Sequence, residues 1–232
     1  MYKTLAALLL LTVCSTGFSA ELPIRPFNAE YTLYKSGLKV GEATLSLDKN
    51  DNGLRWRLTS EATGVYALFN SKKPLSVSIM ERYGKDFRLA RIQLFITRAE
   101  QPAESVHLNW SKQQANIKRE HTSQFIALKN TVYDYLSIHW LAAQLTINKG
   151  AHSVFDFYRK GGLVQSKLEL IGQVELDLNG RVQTMTKYRH SFPGASNSYE
   201  YYYGIDNPSL PLKIEKFKKG KTSSIMLFKG LN

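Results

Sequence analysis

The sequence predicts a mainly β protein: a strongly curved antiparallel meander, an open or partial β-barrel, with one main helix packed on its concave face. Three observations carry this expectation. Apolar and polar residues alternate with period two through most of the chain, and turn residues interrupt the alternation at hairpin spacing. One segment, "NTVYDYLSIHWLAAQL" from 130 to 145, reads as a helix with almost no polar side. Parallel pairing would need a crossover of roughly a dozen residues after each strand, and only that segment supplies one.

The chain opens with "MYKTLAALLLLTVCSTGFSA", a basic start at Lys3, an apolar run from Leu5 to Cys14 and a small-residue tail. This is the pattern of a secretory signal peptide, which assigns residues 1–20 to a cleaved leader and places the protein in the periplasm. Cleavage after Ser19 or Ala20 starts the mature chain at Ala20 or Glu21. Lipid attachment at Cys14 is disfavoured by the branched Val13 before it. Cys14 is also the only cysteine, so the mature protein forms no disulfide and relies on its own packing. Residues 21–232 suffice for one antiparallel β domain, and no repeat or linker suggests a second.

The strands follow in order. "FNAEYTLYKSGLKVGEATLSL" turns at Ser36-Gly37, with Phe27, Ala29, Tyr31 and Leu33 on one face. "KNDNG" supplies the next turn, and "LRWRLTSE" resumes with Leu54, Trp56 and Leu58 against Arg55 and Arg57. "ATGVYALF" at 62–69 fits either a short helix or a strand and is assigned to an irregular connection. Strands are expected at 76–83, 88–97, 105–110, 115–120 and 124–129. After the helix come "HSVFDFYR", a Gly161-Gly162 turn, "LVQSKLEL" and "QVELDL". Asn179-Gly180 then marks a type I′ hairpin into "RVQTMTKYRH", and "YEYYYGI", "LKIEKFKK" and "SSIMLFKG" close the chain.

The helix is expected over about 131–147, with Asn130 or Thr131 as its cap, Asp134 in the first turn and Asn148-Lys149-Gly150 as its stop. At about 100° per residue, Val132, Tyr135, Leu136, His139 and Ala143 share one sector, and Ile138, Leu141, Ala142 and Leu145 fill much of the opposite one. Only Tyr133, Ser137 and Gln144 form a polar wedge. Such a helix belongs in an interior, and at about 1.5 Å per residue it is too short to span a bilayer. No later stretch is long enough to span either. The interior is then a filled core or a cavity holding a ligand. For the second case the candidate binding residues are Trp56, Trp110, Tyr135, His139, Trp140, Phe155, Phe157, Tyr201 and Tyr203, whose rings suit acyl chains or sugars.

Catalytic and metal motifs are not found. The five histidines, His107, His121, His139, His152 and His190, have no ligand spacing, and no G-x-S-x-G elbow or phosphate-cradling loop appears. No catalytic residue, metal or cofactor is assigned. The formal net charge is +12, which loss of Lys3 with the leader lowers by one. That balance suits anionic envelope partners, with Lys218, Lys219 and Lys221 forming a basic hairpin tip. Nucleic acid is not an expected partner, because no reading motif is present.

Four segments together are similar to exported bacterial proteins catalogued as domain of unknown function three-one-zero-eight. They are "YTLYKSGLKVGEATLSL", "YDYLSIHWLAAQL", "LIGQVELDLNGRVQTMTKYRH" and "LPLKIEKFKKGKTSSIMLF". The Asp134-Tyr135-Leu136-Ser137 helix start belongs to this resemblance; the chain departs from the pattern in lacking a Pro-containing strand near Arg88 to Ile92. The resemblance implies a curved antiparallel sheet, similar in outline to periplasmic lipoprotein carriers and sensors, and no established catalytic residue.

The expected function is a non-catalytic binding or envelope-maintenance protein, holding a lipid-like apolar or amphiphilic anionic ligand between helix and sheet. The alternatives are an interaction module that engages another envelope protein through its sheet edges, and a hydrolase acting on an envelope component.

Overall fold

The computed structural model describes residues 24–69, 72–97, 101–178 and 180–232. The expected leader at 1–20 and Asn179 of the Asn-Gly turn lie outside the described residues. Among the described residues fifteen strands form one sheet. In chain order they are β1 (Phe27–Lys35), β2 (Leu38–Asn50), β3 (Gly53–Ala62), β4 (Leu75–Tyr83), β5 (Asp86–Phe95), β6 (Glu104–Asn109), β7 (Gln114–Arg119), β8 (Thr122–Ala127), β9 (Val132–Tyr133), β10 (His152–Arg159), β11 (Gly162–Leu178), β12 (Arg181–Ser191), β13 (Asn197–Gly204), β14 (Asn207–Lys218) and β15 (Lys221–Leu231). Two helices interrupt them, α1 (Val65–Phe69) and α2 (Ile138–Ile147).

The strand order is β8-β7-β6-β5-β4-β3-β2-β1-β15-β14-β13-β12-β11-β10-β9. Two meanders, β1 to β8 and β10 to β15, are thus joined along the antiparallel β1–β15 ladder, where Leu33 faces Met226 and Lys35 faces Ser224. The sheet curves strongly but does not close. Strand twist coils it, and a bulge opposite Leu170 and Gly172 bends the long β11 further, with Gly172 at φ +136°. The first meander reaches back to the second at the β10–β11 turn, where Gln124 Nε2 donates to the Gly161 carbonyl at 2.8 Å. A Cβ on Gly161 would sit 1.4 Å from the Arg119 guanidinium, which would have to swing aside, and the φ of +77° itself favours glycine here.

The alternation read from sequence sorts the faces as expected. Ala29 and Tyr31, Ala43, Leu45 and Leu47, and Leu54 and Trp56 are all buried in the core. Helix α2 crosses the concave side, with Ile138 to Ala143 buried and Gln144 to Ile147 half-buried. Its indole at Trp140 donates to Asp86 Oδ1 at 3.1 Å and meets the Phe87 ring edge-on at 5.2 Å, in the first meander. On its other side Thr146 and Tyr188 share a hydroxyl contact of 2.8 Å in the second.

Three local expectations are corrected. The helix begins at Ile138 rather than about 131, because Val132 and Tyr133 pair in parallel with Asp156 and Phe157 of β10, satisfying a sheet edge that would otherwise be bare. Asn130 therefore bonds Asp156 Oδ2 at 3.2 Å instead of capping the helix. The 62–69 connection holds the short helix α1. "LVQSKLEL" and "QVELDL" are one strand, β11, because its bulge absorbs Ile171-Gly172 without breaking the ladder.

The turn that launches α2 is built on Asp134. Its Oδ1 accepts the backbone N–H of Ser137 at 2.8 Å and of Leu136 at 3.3 Å, and the Ser137 hydroxyl at 2.6 Å. The Ser137 hydroxyl in turn accepts the Asp134 N–H at 2.9 Å. From β4, Ser78 Oγ donates to the second carboxylate oxygen. Asp134 is buried, so removing it strands several donors away from water. Asp134→Ala is expected to lower the unfolding free energy by roughly 2–4 kcal/mol, and Ser78→Ala by about 1 kcal/mol. Urea unfolding followed by near-ultraviolet circular dichroism measures both; a wild-type midpoint for Asp134→Ala would refute the tether.

Candidate functional site

Period-two alternation puts Tyr199, Tyr201 and Tyr203 on the inner face of β13. Successive rings lie 6.3 and 6.4 Å apart, with interplanar angles of 16° and 28°. The opposite face of the same strand is polar: Glu200 bonds Lys187 at 2.8 Å and Arg189 at 2.9 Å, and accepts the Tyr202 hydroxyl at 3.0 Å. Strand β12 adds Tyr188 and His190 beside the ladder, in register with Tyr201 and Tyr199.

Helix α2 lowers His139 onto this ladder. Its Nδ1 lies 2.7 Å from the Tyr203 hydroxyl, and its ring is 5.5 Å from Trp56 and 5.6 Å from Tyr201. Burial pushes the His139 imidazolium down to about 3, so the ring is neutral at physiological pH. His190 sits among Phe192 at 4.4 Å, Phe157 at 4.6 Å and Phe155 at 5.7 Å. Burial, assisted by the Arg159 cation, drives it down to about 3 as well.

Trp56, His139, Tyr201 and Tyr203 are therefore brought into one cluster. Phe155, Phe157 and Tyr135 form its continuation, with Tyr135 4.9 Å from Phe157 and 5.7 Å from Tyr199. Trp140 lies against Phe87 on the first meander. Trp110 stands apart: its indole donates to the Leu89 carbonyl at 2.7 Å, and Arg88 lies over its ring at 5.7 Å. Apart from the half-buried Trp110 and the 41% exposed Tyr135, every one of these nine is at most 2% exposed. Between helix and sheet the rings occupy one another's faces and edges.

The concave face also carries a groove that sequence reasoning did not single out. Register puts Tyr201, Ile214, Met226 and Leu33 side by side across β13, β14, β15 and β1. Next along the same face come Tyr199, Lys216, Ser224 and Lys35. All of these except the deeper Tyr201 wall a groove of about 560 Å³, with Lys218 at its rim. The floor is Leu33, Ile214 and Met226, all half-buried. Lys216 Nζ lies 5.8 Å from the Tyr199 ring centre, and the Tyr199 hydroxyl is 3.4 Å from that of Tyr135. Burial raises the Tyr135 phenol above its usual range, with Arg159 and Lys216 opposing the shift, so it stays protonated as a hydrogen-bond donor. An apolar floor beneath ammonium groups suits an amphiphile with an anionic head. Among the described residues no group of three or more His, Cys, Asp or Glu side chains converges as a metal site.

No family model matches the chain, and no curated protein does. Among solved structures, it is similar to a β-barrel-like protein of the domain of unknown function DUF1849 from Brucella abortus. The TM-score is 0.59 at 10% identity, over 89% of this chain and 97% of that one. A second similarity, to a protein from Bacteroides fragilis described as having a YmcC-like fold, has a TM-score of 0.34 at 7% identity, over 91% and 98% of the two chains. The first likeness establishes a β-barrel-like fold that recurs outside this sequence.

The aromatic interior can be probed through its two neutral histidines. The unfolded chain takes up protons below about pH 6.5, whereas His139 and His190 resist protonation down to about 3. Stability contributed by this resistance is intact above about pH 6.5 and is lost as pH falls toward 3. In urea unfolding at about pH 7 and about pH 5, His139→Phe and His190→Phe are each expected to shrink the acid-induced loss by about 2 kcal/mol. An unchanged pH dependence in both variants would refute the assignment.

Proposed function

We propose that this is an exported periplasmic protein with a non-catalytic role, binding an anionic amphiphile of the envelope in the groove beside the helix. The N-terminal leader supports export, and the resemblance to domain of unknown function three-one-zero-eight is in keeping with it. The observation that carries the reading is the groove itself. Leu33, Ile214 and Met226 offer an apolar strip, and Lys35, Lys216 and Lys218 edge it with positive charge. A tail laid on the strip leaves its head within reach of the lysines. The rings under the helix act as the rigid wall against which the tail stops, which moves the ligand from beneath α2 to the mouth of the sheet.

One observation favours the interaction-module alternative. Strand β8 ends the strand order, so among the described residues its outer edge has no partner strand, and Phe125 upon it is 61% exposed. A partner strand added there would leave the groove untouched.

Calorimetric titration with dodecyl phosphate below its micelle concentration distinguishes the two. Lys216→Glu and Met226→Asp are each expected to weaken binding about tenfold or more, equivalent to about 1.4 kcal/mol, while Phe125→Ser leaves it unchanged. Mass spectrometry of the natively purified protein is expected to find a co-purifying anionic lipid. Absence of dodecyl phosphate binding, or equal binding by all three variants, would refute the groove.

A further inference from the structure

The β1–β2, β10–β11 and β14–β15 turns lie at the same end of the sheet. The ladders require it: Lys35 pairs with Ser224 and Lys218 with Lys221, while Arg159 pairs with Gly162 and Lys167 with Ser191. Helix α1 lies at this end too, since it follows β3 directly after Ala62, which pairs with Gly41.

This end has an unusual composition. Helix α1 leaves apolar side chains open: Leu68 is 81% and Val65 68% exposed, with Tyr66 beside them, and Leu38 on the adjacent β2 is 61% exposed. Exposed lysines share this end of the sheet, Lys35, Lys160, Lys218, Lys219 and Lys221, and outnumber the exposed Glu120 of the β7–β8 turn. Two of these occupy turn positions that favour glycine or asparagine, Lys160 at φ 49° and Lys219 at φ 51°. A lysine held there costs on the order of 1 kcal/mol, and each projects its charge from the tip of a hairpin.

We propose that this end docks on the surface of an anionic bilayer, with Leu38, Val65 and Leu68 entering the acyl boundary and the lysine tips meeting the headgroups. Charge complementarity selects a membrane over a protein partner. The cations come from three separate turns at the end that carries one short apolar helix, a broad and sequence-independent match to a negatively charged plane. No helix among the described residues is long and apolar enough to cross a membrane, so the contact is interfacial. The groove opens at the same end, with Val40 and Lys35 on its wall. A docked molecule would therefore face the bilayer with the mouth through which an amphiphile passes. The docking surface rests on residues outside the groove floor, so it stands or falls separately from the binding reading.

The test is co-sedimentation of the leaderless chain with vesicles, either of phosphatidylcholine alone or with about one third phosphatidylglycerol. Binding is expected only to the anionic vesicles, and Val65→Ser/Leu68→Ser is expected to lower the bound fraction at least fivefold. Lys219→Glu/Lys221→Glu should lower it similarly. Phe125→Ser, at a large apolar residue 61% exposed but on the β8 edge, should bind as wild type. The Val65→Ser/Leu68→Ser variant should still bind soluble dodecyl phosphate, and Lys216→Glu should still sediment within twofold of wild type. No vesicle binding, equal binding to both vesicle types, or undiminished binding by the α1 variant would overturn the proposal, as would capture of a protein partner through α1 without vesicle affinity.

Discussion

A sheet of fifteen strands that does not close has two free edges and no ladder to hold its ends together. In this protein the work passes to α2 and the turn before it. Asp134 bonds Ser78 of β4, Trp140 reaches Asp86, and His139 reaches Tyr203 of β13, so one buried segment is fastened to both meanders. Strand β9, immediately ahead, adds a short parallel rung to β10. The same twenty or so residues thus cover a sheet edge, fill the concavity and set the distance between the two halves.

The polar groups in this segment are tolerable because each finds a partner. A buried carboxylate without donors would be costly, and the Asp134 oxygens are supplied by two backbone N–H groups and two hydroxyls. The imidazoles of His139 and His190 avoid the cost differently, by remaining uncharged among rings. The consequence for function is that the space under the helix is occupied by rings stacked on and edged against one another. Apolar surface still open on the concave side is displaced to the β14–β15–β1 seam, where the alternation changes from tyrosine to leucine, isoleucine, methionine and lysine.

That seam also explains a polarity in the molecule. At one end of the sheet the turns are tipped with lysine and α1 is turned outward; the groove opens at that end. At the other end Asp51, Asp177 and Asp206 sit near the turns together with Lys85, Lys112 and Arg181, so the two ends differ in exposed apolar surface more than in the presence of cations.

Much of the fold is legible in the residues because each hairpin announces itself locally. Ser36-Gly37 turns β1 into β2, and strict alternation in "LRWRLTSE" sends Leu54 and Trp56 inward. Likewise the apolar girth of 138–143 demands burial wherever the segment goes. Chain order and local pattern were enough for an antiparallel meander with an internal helix. Whether Val132-Tyr133 joined the helix or a sheet edge was not written locally, since both residues accept either conformation; the vacant edge of β10 decided it. The groove was equally invisible, because Leu33 comes from the first strand and Ile214, Lys216 and Met226 from the last two, at opposite ends of the described chain. Only the β1–β15 ladder, closed between the two ends of the chain, fixes the register that makes them neighbours.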